Sequence, residues 1–133
     1  MPALTQDRNT PQRFGDTFNH PVAASSVIFA GSIVVLNAAG DAVAASTATG
    51  LKVAGRAEQY VDNSSGAAGD KAVDVRKGTF RFDNDGSIDR TDIEGTAYIV
   101  DDQTVAATDG TGTRSAAGKI VDVDTDGVWV KFT

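Results

Sequence analysis

Hydrophobic positions along this chain come in short runs, several of them alternating one-for-one with polar residues, which is the period of a half-buried β-strand. The clearest run is KIVDVDTDGVWVKFT at 119–133. Asp126-Gly127 suits a two-residue type I′ turn, so the pattern predicts a hairpin pairing Thr125 with Val128, Val123 with Val130, and Val121 with Phe132. Val121, Val123, Val128, Val130 and Phe132 then share the apolar face. Asp124 faces Trp129 and Asp122 faces Lys131 on the other.

The rest of the chain reads the same way in weaker form. SVIFAGSIVVL at 26–36 is two β-rich pieces divided by Gly31. NAAGD at 37–41 is a turn, and 42–50 is a loop or edge strand. LKVAGRAEQYV at 51–61 is one strand weakened at Gly55, followed by a polar loop over 63–70. In KAVDVRKGTFRF, Val73 and Val75 have one parity and Phe80 and Phe82 the other. A flat strand cannot bury both pairs on one face, so the strand must break near Lys77-Gly78. Thr91 and Glu94 fit a capping box that Gly95 ends within a turn. AYIVDDQTVAA at 97–107 predicts a second hairpin turning at Asp101-Asp102, and 108–118 is a loop.

These readings sum to about eight to ten short strands without βαβ alternation. The expected fold is all-β: a compact, jelly-roll-like β-sandwich or a small β-barrel. Residues 1–24 hold all three prolines and lack apolar periodicity, so they are expected to form an extended N-terminal arm ahead of a single β domain over 25–133. Phe14 and Phe18 are natural anchors for such an arm, and Arg8 and Arg13 could meet acidic partners.

Composition narrows the function. The chain has 133 residues, a net charge of −6 and no cysteine. The acidic balance argues against a nucleic-acid partner, and no apolar run reaches the ~18 residues of a membrane span. The charged, proline-bearing start lacks the apolar segment of a cleaved export signal. Without cysteine there is neither a disulfide nor a thiolate metal site. Asp122, Asp124, Asp126 and Gly127 match the opening of an EF-hand loop, but the twelfth position is Thr133 and both flanks are strands, so a hairpin turn is expected there instead. Asp101-Asp102 reads as a turn rather than a catalytic pair, GTRSAAGK has the wrong spacing for a phosphate loop, and His20 is the sole histidine. Asn63-Ser64-Ser65 fits a glycosylation sequon but is read as a polar loop. No catalytic, cofactor-binding or metal-binding residues are expected, and no enzyme. Trp129 is either satellite packing or a subunit-contact anchor.

Several stretches together resemble the capsid cement (head-decoration) proteins of Mu-like tailed bacteriophages. They are QDRNTPQR at 6–13, PVAA at 21–24, IFAGSIVVLN at 28–37, VDN at 61–63 with GAAGD at 66–70, RKGTF at 76–80, YIVDDQTV at 98–105, AGK at 117–119 and DGVWV at 126–130. The resemblance implies a non-enzymatic, β-rich structural protein without cofactor. Its place would be the outer surface of the virion's icosahedral head, after synthesis in the bacterial host cytoplasm. Its partners would be the major capsid protein, whose neighbouring copies it bridges against DNA pressure, and itself as dimer or trimer, with no nucleic acid and no membrane. Arg8, Arg13, Phe14 and Phe18 are then the expected capsid or neighbour contacts, and Tyr98 and Trp129 the expected oligomer or capsid face. The alternative is a phage head-fibre or a receptor- or carbohydrate-binding β-module. The scarcity of aromatics (six Phe, two Tyr, one Trp) weighs against a sugar platform.

Overall fold

The structure, a computed structural model, describes residues 3–13 and 15–133. Its strands number twelve among these residues, more than the alternation predicts, because several are only three residues long. They form a closed barrel, a curled sheet and a small ribbon.

The barrel is the C-terminal half. It comprises β8 (Thr79–Asn84), β9 (Thr96–Ile99), β10 (Thr104–Ala106), β11 (Ala116–Asp124) and β12 (Gly127–Lys131), in the order β10-β8-β12-β11-β9. Closure comes from β10, which pairs parallel with β8 and antiparallel with β9. A closed ring has no free edge, and one this small is filled by its own side chains. Phe82, Ile99, Val105, Ile120, Val128, Val130 and Phe132 fill it. Each fully buried aliphatic contributes roughly 1.5–3 kcal/mol relative to exposure.

The hairpin of β11 and β12 forms, but its register differs from the expected one. Asp124 pairs with Gly127 and Val123 with Val128, and a bulge beyond Asp122 brings Ile120 opposite Val130. The reason is local. The Asp124 carboxylate accepts from the N–H groups of Asp126 and Gly127 and from Trp129 Nε1, all within 3.0 Å. That turn needs no positive φ at Thr125 or Asp126, and neither residue has one. Gly127 is required for another purpose: a Cβ there would overlap the Phe82 carbonyl of the adjoining strand. The bulge turns Val121 outward and places Ile120 in the core.

The second sheet runs β1-β7-β5-β3-β4, with β1 at Thr17–Pro21, β7 at Ala72–Arg76, β5 at Lys52–Ala57, β3 at Ile33–Leu36 and β4 at Ala42–Ala44. It curls until Val22, just beyond β1, bridges Ala42 of β4. The apolar run of β3 is buried on both faces: Ile33 and Val35 join the barrel core, while Val34 joins a second core with Val22, Ile28, Val73 and Val75. A ribbon of β2 (Ser26–Ile28) and β6 (Val61–Asn63) contributes Ile28 and Val61 to that second core. The parity conflict resolves at Lys77-Gly78 as expected. Val73 and Val75 enter the second core and Phe82 the barrel, on strands of different sheets.

Several expectations shift. The arm predicted over 1–24 is shorter, because Thr17–Pro21 pairs with β7 and Val22 is fully buried. The single strand over 51–61 is two, β5 and β6, since the chain leaves the sheet after Ala57. The capping box lies two residues early: Asp89 and Asp92 close it around a 3-10 turn at Arg90–Asp92. Asn63 is no glycosylation acceptor in this fold. It is 2 % exposed, and its Nδ2 donates to the Ala23 and Ala67 carbonyls, tying the end of β6 to the crossing after β1.

Candidate functional site

The most conspicuous surface feature lies where the barrel meets the curled sheet. The turn between β2 and β3 is held at every side. Ser32 N–H donates to Phe29 O, Gly31 N–H to Ala57 O, Ala57 N–H back to Ser32 O, and Ile33 N–H to Asp102 O, all at 2.8–3.2 Å. Gly31 supplies the positive φ, +85°, that the tight reversal requires. A turn clamped in this way cannot bury its tip, and Phe29 stands 58 % exposed. Tyr60, on the connection from β5 to β6, is 54 % exposed and lies against it, with ring centroids 5.5 Å apart at 39°.

Beside the pair opens a cleft of about 370 Å³ whose far wall is Asp102 and Gln103 of the β9–β10 turn. Asp102 is half-buried, and no cation pairs with it among the described residues. Desolvation first, then the neighbouring Asp101 charge, pushes its carboxyl above the usual range. Aromatic rings and an uncompensated carboxylate thus meet at one opening. Ser32 also lines the cleft, and its Oγ has no hydrogen-bond partner among the described residues.

The residues expected from sequence are dispersed. Arg8 and Arg13 lie in the exposed stretch 3–13, with no carboxylate in ion-pair range among the described residues. Phe14 lies outside the described residues. Phe18 belongs to β1 rather than to a free arm, pairs across to Val75 and packs against the second core. Tyr98 is half-buried on β9, in a cleft of about 480 Å³ with Ile93 and Ala107. Trp129 is half-buried on the barrel's outer face. Its indole N–H is held by Asp124, and the Arg81 guanidinium lies 5.8 Å from its ring. Through β11 the two are far apart: Tyr98 pairs with Ala116 and Trp129 with Asp122, six residues or about 20 Å along the strand.

The acidic motif at the hairpin disperses too. Asp124 is committed to its turn and to Trp129, Asp122 lies 3.4 Å from Arg90, and Asp126 lies 3.9 Å from Arg81. Among the described residues no three metal-ligating side chains converge. Sequence reasoning missed the Phe29–Tyr60 pair because Phe29 sits in the most apolar run of the chain, which reads as core. The available signal was Gly31, whose turn had to leave a neighbour outside. Comparison with protein-family models, with curated proteins and with solved structures finds no match to this chain.

Proposed function

We propose that this chain is a structural capsid cement protein of a tailed bacteriophage. It binds the outer surface of the icosahedral head, bridges neighbouring major capsid proteins and acts as a homo-oligomer without catalytic chemistry. The resemblance of its stretches to that family motivates the reading. The structural observation that carries it is the lead-in: residues 3–13 are exposed throughout and precede a closely hydrogen-bonded all-β body. A rigid body with an unengaged, arginine-bearing extension suits a clamp whose many modest contacts add across a repeating lattice. Arg8 and Arg13 are its proposed contacts, with Trp129 and Tyr98 as further proposed contacts of the oligomer or capsid. Phe18 holds β1 in place and is not among them. Cryo-electron microscopy of undecorated heads incubated with the protein tests this. Ordered density at lattice-related positions on the outer surface is expected, and bare heads would overturn the reading.

One observation favours a second reading, a receptor- or carbohydrate-binding module. The exposed Phe29–Tyr60 pair beside Asp102 and Gln103 is the kind of aromatic platform on which sugar rings stack. Retention on host cells or glycans with no affinity for heads would favour it.

A further inference from the structure

The lead-in and the cleft are complementary in two independent respects. Four large hydrophobic side chains stand exposed among the described residues. One is Leu4 of the lead-in, at 72 %, and two are Phe29 and Tyr60. In charge, the lead-in over 3–13 carries Arg8 and Arg13 against a single acid, Asp7, in a chain of net charge −6. The cleft presents a half-buried carboxylate, without a counter-ion among the described residues, beside an aromatic face. A guanidinium satisfies both walls at once, because it stacks on rings and forks onto carboxylates. A neutral sugar would leave Asp102 uncompensated. Residues 3–13 are exposed, so the lead-in does not fill its own cleft.

We infer that the Phe29–Asp102 cleft receives Arg8 from the lead-in of a second copy of this chain, with Leu4 of that lead-in laid on the Phe29–Tyr60 pair. In the free chain a bend at Thr5 and Gln6 separates Leu4 from Arg8; drawn out as a strand on binding, the segment directs these two residues of like parity at one surface and Asp7 and Arg13 the other way. The clasp is preorganised on the receiving side by the hydrogen bonds that fix residues 29–33 to Ala57 and Asp102. Only the lead-in has to be ordered. Copies joined head to tail in this manner would reinforce one another wherever a lattice holds them side by side. The inference rests on the homo-oligomer in the cement reading: its failure would remove self-association from that reading but leave binding to heads to be decided by its own experiment.

Sedimentation velocity of the full chain over a concentration series at low salt tests it. Wild type should self-associate. R8E, D102R and F29A should each weaken association about tenfold or more, and R13E should stay within about twofold, which excludes a general charge effect. R8E/D102R in one chain should regain most of the loss. D102N repeats the D102R arm at nearly constant side-chain size, and near-ultraviolet circular dichroism checks each fold. A wild type that is monomeric throughout would overturn the inference, as would equal losses for R8E and R13E or a double variant no better than D102R. In parallel, a synthetic peptide of residues 3–13 should shift the amide resonances of Phe29 and Asp102. Their absence from the shifted set, or an R8E effect on them independent of protein concentration, would also overturn it, the latter by showing that the lead-in folds onto its own body.

Discussion

Ile120→Ala and Val121→Ala form a matched pair that tests the register of the closing hairpin. Plain alternation from the Asp126-Gly127 turn directs Val121 inward. In the structure the bulge between Ile120 and Asp122 reverses this, leaving Ile120 fully buried opposite Val130 and Val121 40 % exposed. Truncating a fully buried isoleucine removes its transfer energy and leaves a cavity among Val128, Val130 and Phe132, a loss of about 2–5 kcal/mol. Truncating the exposed valine forfeits only strand preference and partial packing, under about 1 kcal/mol. For a chain of 133 residues, unfolding entropy converts each kcal/mol into about 3.5 °C, so Ile120→Ala should melt about 7–17 °C below wild type and Val121→Ala within about 4 °C. Calorimetry, with urea unfolding to confirm an unchanged slope, measures both. A larger loss for Val121→Ala than for Ile120→Ala would refute the register.

Three further outcomes are expected. Gly127→Ala should cost about 2 kcal/mol or more in urea unfolding, because its Cβ would overlap the Phe82 carbonyl at a φ of +157°, whereas Gly40→Ala, with open space around it, should cost only about 1 kcal/mol. Two carboxylates should behave oppositely with pH. Asp124 is held below its ordinary 3.8 by the Trp129 N–H and by backbone N–H groups, so the advantage of wild type over Asp124→Asn should be complete above pH 3.8 and disappear as pH falls through the lower folded value. Asp102 is raised above 3.8 by burial, so Asp102→Asn should match wild type at low pH and become the more stable protein as pH rises through the folded value; denaturant midpoints against pH would expose either sign as wrong. Removal of residues 1–13 should leave the melting temperature unchanged, while removal of 1–20 should destabilise the fold by stripping most of β1 from β7, and equal melting of the two truncations would contradict the boundary at Thr17.

What was legible in the chain is what local chemistry decides. The break at Lys77-Gly78 followed from a parity conflict that no flat strand can satisfy, and the turn at 37–41 from an asparagine whose Oδ1 accepts the Ala39 and Asp41 N–H groups. The all-β class followed from the same short-range signals. The hairpin register was not legible, because Ile120, Val121 and Val123 offer apolar side chains of both parities and the choice rests on the Asp124 carboxylate. The boundary of the lead-in was hidden for a similar reason. Phe18 pairs with Val75 of β7, 57 residues on, and Val22 bridges Ala42 of β4, 20 residues on. At the surface, Arg8 and Arg13 could be picked out because charge and proline mark an unpacked segment. The Phe29–Tyr60 pair could not, since exposure of a phenylalanine in an apolar run is a tertiary fact.

The most direct test of the central proposal is co-sedimentation of the purified full-length protein with heads of its own phage that lack it, titrated to saturation. The account predicts saturable binding at a fixed ratio to the major capsid protein, weakened when residues 1–13 are removed. Protein that stays in the supernatant at every concentration, or that pellets without saturating, would contradict it.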